Sequence, residues 1–280
     1  MSAGNEELFF HVPRSLAGFD PSMVWAAGLL AASAHAVFSA WRAGLSTRAM
    51  YRAVVLSLLG GLWGANLLSL LVHGWEGGPL AAFAFVQGGK SLFGGLLLGG
   101  FAAVLYFHYR KLPMLAYADA GMLALTLGYA IGRIGCFLNG DDYGTLTHVH
   151  WAVVYPPGTE AYEAHLERGW ISPGDAWSLP IHPVQLYASL LGLALFVVLV
   201  AWRPKWEGSR LCAYLIIYGV SRFFLEYLRG DFRRVLGTFS LPQLFSLCFI
   251  SLGLVLWLHR GRVQATAISS APVPDQARSC

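Results

Sequence analysis

The stretch from Leu123 to Gly144, LALTLGYAIGRIGCFLNGDDYG, decides the fold class, because a long apolar run ends in a polar cluster. The apolar run extends back to about residue 113, and a helix of about 20 such residues can cross a bilayer. Its last turns nevertheless carry Arg133, and Asn139 and Asp141 follow directly. Ionisable groups are costly at the edge of a membrane, so their accumulation indicates a functional site at this end of the helix.

The composition of the whole chain is that of a membrane protein. The 280 residues are 56% hydrophobic and 12% charged, and the mean hydropathy is +0.55. Backbone groups in lipid must be hydrogen-bonded within their own segment, so each apolar stretch of about 20 residues predicts a helix. The predicted spans are approximately residues 22–41, 52–73, 91–109, 113–138, 184–202, 211–228 and 239–259. We therefore predict an all-α integral membrane protein with about seven transmembrane helices.

The segments outside the spans complete this prediction. The longest, at about 139–182, contains THVHWAVVYPPG (147–158), whose alternation favours a short strand or hairpin. The residues after it mix acids, Gly and Pro, which predicts a surface loop with about one helical turn. We predict one domain, residues 1–260, with this small loop and strand region on its outer face. A disordered cytoplasmic tail, 261–280, follows.

Basic residues predict the orientation of the spans. They are concentrated near residues 42–52, 110–111 and 203–210 and after the last span, which places these segments in the cytoplasm by the positive-inside rule. Others lie near span ends on the opposite, outer side, namely Lys90, Arg133, Arg222, Arg229, Arg233 and Arg234. The formal net charge of +4 does not indicate nucleic-acid binding, and the four cysteines lack the CxxC spacing of a zinc site.

The segment QGGKSLFGGLLLGG (87–100) combines a cation with paired glycines. Glycines at a helix entry expose backbone amides to an anion and allow a lipid headgroup to approach. We favour this explanation for Gly88, Gly89 and Lys90, where the cation lies at the membrane edge. Tight helix packing is an equally good explanation for the later glycines. These are Gly94, Gly95, Gly99 and Gly100.

Arg133 lies on the same predicted helix face as Cys136 and Gly140, which directs its guanidinium toward the turn after the helix. An ion pair from Arg133 to Asp119 or Asp141 that only joins helices is the structural alternative. We favour a functional role, because several ionisable groups converge here.

The stretch SRFFLEYLRGD (221–231) places Arg222, Glu226 and Arg229 on one helix face. Glu226 can pair with either arginine and orient it, which leaves an excess of positive charge on the outer side. Guanidinium groups bind phosphate well, because their paired N–H donors match its oxygens.

The stretch HPVQLY (182–187) opens a predicted span. Its first two residues suit the cap and the first position of a helix, so helix initiation explains them. Gln185 and Tyr187 are not needed for capping and are candidates for substrate contact.

In this order, the motifs resemble those of the prolipoprotein diacylglyceryl transferases of the bacterial inner membrane. The resemblance extends from about Gly88 to the last predicted helix. It rests on GRIGCFLNGDDYG (132–144), WAVVYP (151–156), HPVQLY and RFFLEYLRGD (222–231). It implies an enzyme that moves the sn-1,2-diacylglyceryl group of phosphatidylglycerol to the thiol of the lipobox cysteine of a prolipoprotein, with release of glycerol 1-phosphate. It also implies a multi-pass protein with its site toward the periplasm, without cofactor or metal.

Within this interpretation the residues singled out above receive roles. The predicted catalytic residues are Arg133, Asp141, Lys90, Arg222, Glu226 and Arg229. The predicted substrate-binding residues are Gly88, Gly89, Gly94, Gly95, Asn139, His182, Gln185 and Tyr187. The arginines hold the phosphate and stabilise the charge of the leaving group, and the acceptor attacks as a thiolate.

Two residues depart from the family's pattern. The family usually has a histidine, often proposed as the base, where this chain has Phe93, which cannot take a proton. Lys90 and Asp141 are therefore the candidate bases. Cys136 stands where the best-known members have asparagine, although related branches carry cysteine.

Two other functions stay open. A divergent relative that binds phosphatidylglycerol but uses another acceptor, or none, is favoured by Phe93. An anion transporter is the further alternative, since arginines inside a bundle can line an ion path, but the clustering of charge at one face argues against it. The partners expected for the transferase are phosphatidylglycerol, prolipoprotein signal peptides and the membrane, with no nucleic acid.

Overall fold

In a computed structural model of the chain, the described residues are 9–13, 20–73, 92–231 and 234–269. The helices are α1 (Pro21–Arg42), α2 (Thr47–His73), α3 (Leu92–Tyr109), α4 (Met114–Asn139), α5 (Glu160–Glu167), α6 (Val184–Ala201), α7 (Ser209–Leu225) and α8 (Leu241–Ser269). The strands are β1 (Phe10–His11), β2 (Val153–Val154), β3 (Arg234–Leu236) and β4 (Phe239–Ser240). A 3₁₀ turn (Glu226–Leu228) follows α7.

The predicted membrane spans are confirmed. Among the described residues, six helices are long and apolar enough to cross a bilayer, and α3 contributes a shorter apolar helix, Gly94–Tyr109. Large apolar side chains cover the exposed face of α6, where Leu190, Leu193 and Val197 are 65%, 47% and 57% exposed. Such a face is stable against hydrocarbon and unstable in water, so the chain is a multi-pass membrane protein.

The chain divides into two compact units, Ala26–Gly128 and a second unit that comprises residues up to Trp25 and from Tyr129 onward. In the first unit, α2 and α3 pack at close range through glycines. A Cβ atom on Gly94 would lie 2.1 Å from the Gly64 carbonyl oxygen, and one on Gly64 would lie 2.3 Å from the Gly94 carbonyl oxygen. Distances this short exclude a side chain, so glycine is what allows the two helices to meet.

The other glycines of α3 differ in their surroundings. Cβ atoms on Gly99 and Gly95 would approach carbonyl oxygens of α2 to 2.7 Å and 3.2 Å. A Cβ atom on Gly100 would meet nothing within 4 Å. Helix packing therefore explains Gly94, Gly95 and Gly99 and leaves Gly100 unexplained.

We expect Gly94→Ala to destabilise the protein by about 1–3 kcal/mol, because the added methyl group forces α2 and α3 apart. Gly100→Ala is the matched control on the same helix. Its stability should be unchanged or higher by up to about 1 kcal/mol, since alanine is the better helix former. Thermal unfolding of the purified variants in detergent measures both effects. Equal melting temperatures would contradict the packing assignment.

The second unit carries a small region between α4 and α6. Here β2 forms within the predicted strand segment, but it is not half of a hairpin. It pairs in parallel with β1, with Phe10 opposite Val153. The pairing buries Val12, Val153 and Tyr155 in one small apolar cluster, which a local hairpin does not bring together.

The segment after β2 contains a regular helix where about one turn was predicted. α5 has eight residues, with Glu160 and Glu163 in its first turn, where acidic side chains interact favourably with the helix dipole. Its Ala161, Tyr162 and His165 are buried. Burial of this face stabilises a helix that its polar composition alone does not indicate.

The C-terminal helix is also longer than predicted. α8 continues to Ser269, so residues 261–269 are helical where disorder was predicted. No Pro or Gly lies between residues 262 and 269, so the backbone has no residue there that ends a helix. Residues 270–280 lie outside the described part of the chain.

Candidate active site

Glycine ends α4 and turns the chain back toward that helix. Gly140 has φ +76°, and its N–H donates to the Cys136 carbonyl oxygen at 2.9 Å, which closes the helix with a left-handed residue. Asp142 also has positive φ, 55°, a conformation that aspartate tolerates better than most residues. The turn brings the Asp142 carboxylate to the Arg133 guanidinium, and the two form an ion pair.

Backbone hydrogen bonds join the three predicted motif segments at this point. The Gly230 N–H donates to the Tyr143 carbonyl oxygen at 2.9 Å, and the His182 N–H donates to the Thr145 carbonyl oxygen at 3.0 Å. These contacts require Gly144, since a Cβ atom there would lie 2.2 Å from the His182 carbonyl oxygen. Segments that are distant in sequence therefore lie side by side.

A small cavity lies among these segments. Arg133 from α4, Arg222 from α7 and Arg229, just after the 3₁₀ turn, all line it, as the sequence predicts. The rest of its lining is Tyr129, Asp142, Val184, Gln185, Ala188 and Leu225. The Arg133 guanidinium lies 5.0 Å from the centroid of the Tyr129 ring. Apolar and aromatic walls strengthen the interaction of such charges with a bound anion, because they exclude water.

Asp142 is shared by two of these arginines. One of its carboxylate oxygens pairs with Arg133 and the other with Nη2 of Arg229. Arg229 also binds Asp231, with its Nε donating to Oδ1 at 2.9 Å. The side chains of Arg133 and Arg229 are each 10% exposed, so each needs a charged partner inside the protein.

Glu226 is the partner of Arg222. Its Oε2 lies 2.5 Å from Nη1 of Arg222 and 3.9 Å from Nε of Arg229. Its Oε1 accepts a hydrogen bond from the Ser240 hydroxyl at 2.9 Å. Glu226 therefore approaches both arginines, as its position in the helix predicts.

Each arginine of the cavity has a carboxylate partner, and the predicted positive excess on the outer side stays a prediction, since Lys90 and Arg233 lie outside the described residues. In the described part of the site, the three guanidiniums are matched by the carboxylates of Asp142, Glu226 and Asp231. The prediction counted Glu226 alone, because the direction of the two loop aspartates depends on the backbone of the turns. A guanidinium has five N–H donors, so these arginines retain capacity for a further anion.

The neighbouring carboxyls Asp141 and Asp142 have opposite environments. Burial raises the pKa of Asp141 from 3.8 to about 6, and the negative charge of Asp142 acts in the same direction. Burial also acts to raise the pKa of Asp142, but the positive charges of Arg229 and Arg133 outweigh it and hold that pKa well below its usual range. Asp142 is therefore a permanent anion, whereas Asp141 can exchange a proton near pH 6.

Val184 and Gln185 are the residues of HPVQLY that line the cavity, and Gln185 is the one predicted to contact substrate. His182 and Tyr187, the other predicted contacts, interact instead with each other, with Nδ1 and the hydroxyl 3.2 Å apart. The Trp151 indole N–H donates to the Tyr187 hydroxyl at 2.6 Å. Pro183, and not His182, is the cap residue of α6. A role for His182 and Tyr187 in substrate binding stays a prediction.

The remaining predicted residues have different surroundings. Asn139 is exposed at the end of α4. The ion pair of Arg133 is made with Asp142, where the sequence suggested Asp119 or Asp141. Gly88, Gly89 and Lys90 lie outside the described residues, and Gly94 and Gly95 pack on α2. Within the described ranges, no group of three or more His, Cys, Asp or Glu side chains is placed to hold a metal ion.

Asp142 and Asp231 hold the arginines in place and were not predicted from the sequence. Helical spacing finds residues that share a helix face, and it gives no direction to a side chain beyond the helix end. The available signal was the Asp141-Asp142 doublet after Gly140, since Gly and Asp together favour a reversal of the chain.

The fold and the cavity define the class of this molecule. It is a multi-pass membrane protein whose arginines and carboxylates gather where α4 and α7 end and α6 begins. Comparison with known families then identifies the family. Residues 22–259 match the model of the prolipoprotein diacylglyceryl transferases, so the chain belongs to this family, as its motifs indicate.

Relatives named phosphatidylglycerol-prolipoprotein diacylglyceryl transferase occur in several bacteria. The one from Paraburkholderia phymatum is 33% identical over 244 residues, which are 78% of this chain and 79% of that protein. The one from Clostridioides difficile is 26% identical over 252 residues, 88% of this chain and 92% of that protein. The one from Corynebacterium glutamicum is 31% identical over 195 residues, 66% of this chain, and the match spans 60% of that relative's length.

We expect Glu226→Leu to destabilise the protein by about 3–5 kcal/mol, because it leaves the Arg222 charge buried without its partner. The double variant Glu226→Leu with Arg222→Leu should recover most of that loss, since no unpaired charge remains. Glu207→Leu, at an exposed acid, is the control. Denaturant unfolding in detergent measures all three. If the double variant is no more stable than Glu226→Leu alone, the pairing does not explain the stability.

Proposed function

We propose that this protein is an enzyme that transfers the sn-1,2-diacylglyceryl group of phosphatidylglycerol to the lipobox cysteine of prolipoproteins. The observation that carries the proposal is the cavity in which Arg133, Arg222 and Arg229 meet beside apolar walls. Guanidiniums offer paired donors to a phosphate, and apolar walls suit a lipid. The names of the relatives support the same substrates and reaction.

The charge change of this reaction suits the arginines. A thioether bond forms between the cysteine sulfur and a glycerol carbon of the lipid, and the bond from that carbon to the phosphate oxygen breaks. The thiol loses its proton, because the thiolate is the attacking form. The phosphodiester carries one negative charge, and the departing glycerol 1-phosphate gains a second. Guanidiniums placed at the phosphate stabilise that added charge more than they stabilise the bound lipid.

The carboxylates of the site orient the arginines for this role. Ion pairs with Asp142 and Glu226 restrict the long arginine side chains, so less entropy is lost when a phosphate binds. Nη1 of Arg222 is buried and makes no well-aligned hydrogen bond with the described residues, although it lies 2.5 Å from Glu226 Oε2. In this proposal it donates to the phosphate.

Asp141 is the base in this proposal. Because burial raises the pKa of its carboxyl to about 6, it is ionised at neutral pH and more basic than an ordinary aspartate. Its Oδ1 is buried and makes no well-aligned hydrogen bond with the described residues, although the Cys136 thiol is a neighbour of the carboxyl. Lys90, the other candidate base, lies outside those residues.

We assign the enzyme to the bacterial inner membrane, with the cavity toward the periplasm. The basic residues near 42–52, 110–111 and 203–210 support this orientation by the positive-inside rule. The signal peptides of exported prolipoproteins emerge on the periplasmic side. The reaction as proposed needs no cofactor.

A relative that binds the same lipid but uses another acceptor is the second candidate function. Phe93 and Cys136, at the two positions that depart from the family's pattern, favour it. An anion transporter fits less well, since Arg133, Arg222 and Arg229 line one cavity near helix ends and, within the described ranges, form no track along the helices.

Arg133→Ala should reduce transfer at least about 10²-fold, because one group that stabilises the developing charge is removed. The assay incubates purified protein with phosphatidylglycerol and a lipobox peptide and measures a mass gain of one diacylglyceryl unit. Arg203→Ala is the control, since Arg203 is exposed and follows the other end of α6. Unchanged lipidation by the Arg133 variant would exclude the cavity as the reaction site. An unmodified peptide with the wild-type protein would favour the second candidate.

Asp141→Asn should lower the transfer rate about 10²–10⁴-fold and remove the rise in rate that we expect of the wild type as pH increases through about 6. The same variant should be more stable relative to the wild type at pH 7 than at pH 4. The raised pKa means that the folded protein binds a proton more tightly than the unfolded chain, so stability from this group is lost as pH rises toward 6.

Asp175→Asn, at an exposed aspartate, is the control for both effects. Transfer rates across pH 5–8 and unfolding at pH 4 and pH 7 provide the measurements. A variant that keeps the wild-type pH profile would assign the base to another group.

A further inference from the structure

Gln185 has an amide whose orientation is fixed by its neighbours. The residue is 1% exposed, lies in the first turn of α6 and lines the cavity. Its Nε2 donates to the Asp141 backbone carbonyl at 2.7 Å and lies 3.4 Å from the Tyr155 hydroxyl. That hydroxyl donates its own proton to the Phe137 carbonyl oxygen at 3.0 Å, so it accepts from Nε2. Both protons of the amide nitrogen are therefore used.

The other end of the amide, Oε1, is left as an acceptor. Because a backbone carbonyl can only accept, the amide cannot be reversed without losing the Asp141 bond. Oε1 is buried and has no hydrogen-bond partner among the described residues. A buried acceptor without a donor costs free energy, so a ligand that supplies one is favoured.

The cavity thus offers two complementary kinds of group. Arg133, Arg222 and Arg229 supply donors and positive charge, and the side chain of Gln185, which also lines the cavity, carries the unpaired acceptor Oε1. A matching ligand carries an anionic oxygen group and, beside it, an uncharged O–H donor. We propose that Gln185 Oε1 accepts a hydrogen bond from a hydroxyl of the lipid headgroup, so that Gln185 selects a phosphate esterified to a polyol. The proposal rests on the proposed function for the lipid nature of the substrate.

Other headgroups match less well. A choline group has no N–H or O–H donor, and an ethanolamine ammonium places another cation among three guanidiniums.

The test compares two lipids with identical acyl chains. Phosphatidylglycerol has free headgroup hydroxyls. Phosphatidylpropanol has the same number of headgroup carbons but no free headgroup hydroxyl. Binding is measured by native mass spectrometry of the detergent-solubilised protein, and transfer to the lipobox peptide is measured in parallel. We expect the wild type to prefer phosphatidylglycerol by about tenfold to about a hundredfold.

Gln185→Met keeps the length of the side chain and removes the acceptor. This variant should bind phosphatidylglycerol and phosphatidylpropanol about equally well, mainly because its binding of phosphatidylglycerol is weaker. Gln185→Asn, which withdraws the amide from the cavity, should have the same effect and serves if the Met variant does not fold. Ser189→Ala is the control, since Ser189 is buried one turn later on α6 and donates to the Ala130 carbonyl oxygen. It should keep the wild-type preference.

Each outcome decides between a selecting and a merely structural glutamine. If the Gln185 variants bind both lipids more weakly by the same factor and keep the preference for phosphatidylglycerol, the role of Gln185 is structural and the proposal is overturned. A wild type that binds both lipids equally would overturn it as well, even if transfer occurs. A wild type that prefers phosphatidylglycerol but transfers nothing to the peptide would overturn the proposed reaction and leave the role of Gln185 supported.

Discussion

The sharing of the Asp142 carboxylate between Arg133 and Arg229 is the interaction on which the site depends. Two guanidiniums this well buried repel each other and lose their hydration, so neither is stable there without an anion between them. The need for that anion explains the turn after α4, in which Gly140 and Asp142 both adopt positive φ. It also explains why the segments that carry the two arginines must lie in backbone contact.

Two adjacent aspartates serve different purposes because their surroundings differ. Asp142 faces arginines and keeps its charge, and Asp141 lies in a buried place where its charge is disfavoured. One residue of displacement along a tight turn is enough to produce this difference. A site that needs both a fixed anion and a group that exchanges protons can therefore obtain both from one short turn.

Hydropathy and helical spacing predicted the parts of the structure that depend on local periodicity. The spans follow from apolar length, and Arg133, Arg222 and Arg229 follow from their recurrence near helix ends. The pairing of β1 with β2 joins segments distant in sequence, and local alternation carries no information about such a partner. Asp142 was missed for a related reason. The direction of its side chain is set by the backbone angles of the turn and not by helical periodicity.

The pairing of each guanidinium with a carboxylate in the described site has a consequence for how a charged molecule arrives there. Opposite charges a few ångströms apart cancel at longer range, and salt weakens what remains beyond about 10 Å. Paired charges of this kind attract anions only weakly from a distance, and they discriminate after contact. For a molecule already confined to the bilayer, encounter then depends on lateral diffusion, and its frequency changes little with ionic strength.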